Sequence, residues 1–141
     1  MRWGMLLLLG IGVLFGCGGG GGQGPSMPED GRIEVINQLQ PHPNPPWGDY
    51  RYVRAVYYDE ELGKDVETLV PPGGHKKILG EDEPGRPAGT LFKGGTEVTV
   101  RIIVEVSGTP AEDVKVLIDG NRTILVTGVV PQSGVVSYIL Q

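Results

Sequence analysis

Residues 96–106 read TEVTVRIIVEV, and this stretch constrains the fold more than any other. Val98, Val100, Ile102, Val104 and Val106 recur at every second position. Thr99, Arg101 and Glu105 take alternate ones, with Ile103 the exception. A period of two in β-branched residues belongs to a strand with one face in a core and the other in water. From Arg32 onward no segment carries the apolar period of an amphipathic helix. The chain must therefore bury its apolar surface by packing sheet on sheet.

Further strands are expected at Ile33–Asn37, Tyr50–Tyr58, Val66–Val70, Lys76–Leu79, Asp113–Ile118, Thr123–Thr127 and Val135–Leu140. Eight short strands at close spacing, with no helix for a long crossover, predict an all-β, antiparallel two-sheet sandwich. Its plan is similar to that of immunoglobulin-like or transthyretin-like sandwiches. Lys93-Gly94-Gly95-Thr96 reads as a hairpin turn that would set Leu91 opposite Val98 on the core face. Pro71-Pro72-Gly73-Gly74 fits a type II turn with Gly73 at its third position. Between 113–118 and 123–127, a three-residue loop, Asp119-Gly120-Asn121, would set Val116 opposite Ile124 and Val114 opposite Val126. Asn121 would then take the left-handed position.

The N-terminus is of a different kind. After Arg2, Met5–Phe15 is an apolar run of 11 residues. A bilayer needs about 20, so this length suits the apolar core of a secretory signal. Gly16 then precedes Cys17, the only cysteine. Leu14-Phe15-Gly16-Cys17 resembles the lipobox of bacterial lipoproteins: an aliphatic residue, two further positions ending in a small one, then cysteine. The resemblance implies cleavage before Cys17 and attachment of diacylglycerol to its sulfur. Residues 1–16 are then a signal peptide, 17–31 the lipidated cysteine with a flexible Gly-rich tether, and 32–141 the β-sandwich domain. About 14 residues of such coil span roughly 20 Å r.m.s.. The implied address is the cell envelope, anchored to the membrane by lipid. The outer membrane is favoured where one exists, because Gly18 stands where many inner-membrane lipoproteins carry Asp.

From Cys17 onward the chain carries a net charge of −6, and no basic cluster exceeds Lys76-Lys77. Phosphate neutralisation needs several clustered cations, so nucleic acid is excluded as an expected partner. A nucleophile–base–orienter triad finds only two bases, His42 beside prolines and His75 after Gly-Gly. Two histidines and a lipid-committed cysteine make no zinc or copper set. The stretch Asp59–Asp65 offers oxygen ligands for calcium but lacks the spaced acidic pattern of a calcium loop, and reads as a solvated connection. Glu81-Asp82-Glu83-Pro84-Gly85 likewise reads as an exposed acidic turn. No catalytic residue and no cofactor are expected.

Residues 47–58, WGDYRYVRAVYY, hold five of the seven aromatics beyond Cys17. Trp47, Tyr50, Tyr52 and Arg54 are candidate contacts for a protein or glycan, since Trp, Tyr and Arg dominate interface hot spots. The plainer alternative is that these aromatics cap the core with their polar tips in water. Val135–Leu140 ends without charge, so self-association of the protein through this edge strand is a third possibility. The expected function is that of a non-enzymatic binding module or accessory subunit of an envelope assembly, with an envelope protein partner. The alternative is an envelope enzyme or small-molecule binder whose site is purely spatial.

Overall fold

The structure is a computed structural model that describes residues 26–41, 51–104, 110–129 and 135–141. Cys17, Trp47 and Tyr50, and with them the lipobox, lie outside these residues, as do Glu105 and Val106. Eight strands are described: β1 (Ile33–Asn37), β2 (Val53–Asp59), β3 (Lys64–Val70), β4 (His75–Ile78), β5 (Glu97–Val104), β6 (Glu112–Leu117), β7 (Arg122–Val129) and β8 (Val136–Leu140). They form two four-stranded sheets, ordered β4-β1-β7-β8 and β3-β2-β5-β6. This is the expected all-β two-sheet sandwich.

The core lies between the sheets and follows the alternation. Val100, Ile102 and Val104 of β5 are buried, and so are Val53, Ala55 and Tyr57 of β2 and Val114 and Val116 of β6. Ile33 and Val35 of β1 and Ile124 and Val126 of β7 meet them from the other sheet. Branched aliphatics dominate, and no disulfide is needed to hold about 110 residues together.

Three expectations fail in detail. The Lys93–Thr96 turn forms, with Gly95 at φ 84°, but it opens no hairpin onto β5. Phe92 instead forms an isolated bridge with Gly31, ahead of β1, and Leu91 is 53% exposed. Strands β6 and β7 are not a hairpin either: β6 pairs with β5, and β7 with β1 and β8. Their connection crosses from sheet to sheet, with a positive φ on Gly120. A hairpin and a crossing arch both send Val114, Val116, Ile124 and Val126 inward, so alternation cannot separate them. The third departure is that β1 and β7 run parallel, Ile33 opposite Arg122 through Asn37 opposite Val126. No helix is required, because the chain between them passes through the opposite sheet.

Register gives the sandwich two distinct ends. At the entry end lie Ile33, the β2–β3 turn, Glu97, Leu117, Arg122 and Leu140. At the far end lie Asn37, Val53, Val70, His75, Val104 and Val136. The N-terminal segment is bound across the entry end. The Glu29 amide donates to Asp119 Oδ1 (3.2 Å) and the Gly120 amide to the Glu29 carbonyl (2.8 Å). Asp30 Oδ1 accepts from the Gly94 amide (2.8 Å), and Asn121 Oδ1 from the Arg32 amide (2.9 Å). A Cβ on Gly31 would stand 1.9 Å from the Gly120 carbonyl oxygen, so the approach excludes any side chain there.

At the far end Asn37 is fully buried. Its Nδ2 donates to the carbonyls of Arg51 (2.8 Å) and Val70 (2.9 Å), while its Oδ1 accepts from the Leu39 amide (3.0 Å). One amide thus ties β1 to the ends of β2 and β3 in the other sheet. Asn37→Ala removes all three of these hydrogen bonds, and is expected to cost about 3 kcal/mol in urea unfolding. A loss below about 0.5 kcal/mol would mean that water replaces the amide without cost.

Candidate functional site

The β2–β5 ladder is short. It joins Val53–Val56 to Val104–Arg101 and stops, although β2 runs on to Asp59 with β3 and β5 starts at Glu97 with β6. The two strands therefore part towards the entry end, and the loop of residues 86–93 lies against the fork. The result is a cleft of about 550 Å³ walled by Tyr57, Tyr58, Phe92, Thr99 and Arg86. This size is typical of small-ligand sites. Phe92 meets Tyr57 edge to face, with centroids 5.2 Å apart. Tyr58 and Leu91 remain largely exposed at the rim.

A buried polar cluster forms the inner wall. Tyr57 follows Val53 and Ala55 on the core face of β2, and Asp59 continues that face into the β2–β3 turn. A carboxylate there needs a cation, and Arg86 supplies it, pairing with Asp59 and reaching Glu61 at 3.1 Å. The same guanidinium donates to Thr90 Oγ1 (3.1 Å), which also bonds the Tyr57 hydroxyl. Asp59 Oδ1 accepts the Leu62 amide (2.9 Å) and closes the turn.

The electrostatics fix these charges. Burial opposes ionisation of Asp59, but the Arg86 hydrogen bond and charge and the Leu62 amide outweigh it and hold the carboxyl below its ordinary range. Burial pushes the Tyr57 hydroxyl up, only partly offset by its hydrogen bond with Thr90. The hydrogen bond to Asp59 raises Arg86 further. All three move away from neutrality, so the wall keeps one charge state across the physiological range.

Of the residues singled out in the sequence, Tyr52 lies half-buried just before β2. Arg54 lies on the outward face of β2, its Nε 3.2 Å from a Glu67 carboxylate oxygen. Tyr52 and Arg54 lie at the far end, away from the cleft. Asp59 does not lie in a solvated loop, as expected, but in the core wall. Glu81–Gly85 is a largely exposed acidic turn, as expected, and within it Asp82 accepts from Lys77 Nζ (2.7 Å) and from the Leu69 amide (3.0 Å), joining the edges of β4 and β3. Among the described residues no three of His, Cys, Asp and Glu converge as metal ligands. The cluster had one legible signal, an acid continuing the apolar face of β2; Arg86 and Thr90, in a Pro/Gly-rich loop, had none. No family model, curated protein or solved structure matches this chain.

Because the Asp59 pKa is depressed in the fold, its stabilising contribution is present above the unfolded value and is lost as pH falls through the folded one. Acid unfolding should therefore steepen below the ordinary aspartate range, and Asp59→Asn should flatten that limb in pH-dependent denaturation. An unchanged limb would remove Asp59 as its source.

Proposed function

We propose that this protein is a lipid-anchored, non-enzymatic β-sandwich of the cell envelope that serves as a binding module or accessory subunit. The anchor rests on the lipobox resemblance around Cys17. The observation that carries the binding reading is the strap of residues 28–32, which binds the incoming chain to the entry end. The segment with Trp47 and Tyr50 connects Pro41 to Arg51, next to the Asn37 tie at the opposite end. A domain held by its entry end presents Tyr52 and Arg54 away from its attachment, and Trp47 and Tyr50 shortly precede them in the sequence. Large aromatics and arginine suit a protein contact there.

The cleft favours a second reading, a small polar ligand held between Tyr57, Tyr58 and Phe92 beside the fixed charges of Asp59 and Arg86. Crosslinking in intact cells, followed by purification of the tagged full-length protein, separates the two. One reproducible partner, lost in Trp47→Ala/Tyr50→Ala and kept in Tyr58→Ala, is the expected result. Absence of any partner from the membrane-bound protein would move the assignment to the cleft.

A further inference from the structure

The sandwich has four outer edges: β4 and β8 in one sheet, β3 and β6 in the other. Three are charged, with Lys76 and Lys77 in β4, Lys64, Asp65 and Glu67 in β3, and Glu112, Asp113 and Lys115 in β6. Such charges are an ordinary device that keeps sheet edges from pairing. Strand β8 has none, and no charged side chain occurs from Val129 to Gln141.

The backbone of β8 is set for pairing. Thr123 and Gln141 exchange two backbone hydrogen bonds, each 2.8 Å. In an antiparallel ladder such pairs alternate with pairs that exchange none. Leu125 and Ile139 are then the next bonded pair, and the N–H and C=O groups of Tyr138 and Leu140 point away from β7. The register shift between Val126 and Gly128 leaves the extra residue, Thr127, in β7, so β8 stays regular and Val136 continues the outward set. Among the described residues nothing pairs with that side. On the outer face of the sheet, Ile36, Leu125 and Ile139 stand in register across β1, β7 and β8. This apolar row runs to the same edge, where Ile139 is 48% exposed.

We propose that β8 pairs antiparallel with β8 of a second copy of this chain, joining two four-stranded sheets into one. With the two-fold axis at Tyr138, Val136 faces the partner's Leu140, and the outward groups of both strands form about six backbone hydrogen bonds. The apolar rows of the two copies become continuous. A second copy is the fitting occupant because a chain that carries −6 from Cys17 onward repels itself least along an uncharged strip. With the other three edges charged, pairing through β8 closes at two copies. Antiparallel pairing turns the two entry ends in opposite directions. On the proposed anchor, the dimer lies with its strands along the membrane, since a chain from Cys17 to Ser26 reaches at most about 30 Å.

The test uses the full-length lipidated protein. Single cysteines at Ser137, Tyr138 and Ile139 are oxidised in native membranes, where Cys17 is occupied by lipid, with Leu117→Cys on β6 as the comparison. The expected result is a disulfide dimer from the β8 positions, strongest at 138, and little from Leu117→Cys. In detergent, sedimentation should give a dimer, and Ile139→Lys or Ser137→Lys should weaken it about tenfold or more while thermal melting of the monomer is unchanged. A monomer at all concentrations, equal crosslinking through β6, or a dimer indifferent to both lysines would overturn the proposal.

Discussion

The sandwich depends on how polar groups are satisfied where the chain passes from one sheet to the other. Asn37 is the clearest case: a single buried amide bonds two carbonyls and one N–H where the chain crosses. Asp82 does the same work along the β3–β4 side, and the Gly80 amide donates to Thr68 Oγ1 at 2.9 Å beside it. At the entry end Asp59, Arg86, Thr90 and Tyr57 form the corresponding set. Branched aliphatics fill the space between the sheets without direction. These polar ties select one relative placement of the sheets from the many that an apolar interior tolerates.

The cleft is a by-product of that closure. Strand β2 leaves β5 at Val56 to follow β3 into its turn, and the loop that carries Arg86 comes in against the opening. A buried ion pair adds little net stability against an apolar substitute, because desolvation offsets its attraction. What it adds here is a fixed arrangement of charge beside three aromatic rings. The wall is preorganised.

Much of this architecture is readable in the sequence, and the misses share a cause. Period-two alternation finds the buried faces of β2, β5, β6 and β7, because burial itself creates that pattern, whereas the short β4, HKKI, carries no such alternation. Alternation cannot tell which strand is whose neighbour. The crossing between β6 and β7 and a hairpin at the same place bury identical residues, so the choice rests on the Glu29 and Asp30 contacts with distant loops. The parallel pairing of β1 with β7 is long-range in the same way. Tyr57 and Asp59 could be placed on one face of β2, but Arg86 meets them only through the folded loop. Cys17, Trp47 and Tyr50 remain readings of the sequence, outside the described residues.

The strap has a mechanical consequence. Any pull on the chain from its N-terminal side is delivered through residues 28–32 into β1, which is an inner strand with a ladder on each side, antiparallel to β4 and parallel to β7. The load runs along the strand, so both ladders are strained in shear and must fail together rather than unzip one bond at a time. A domain tied by an edge strand would peel. On the proposed anchor, this one would be attached at the place where its sheet resists force best.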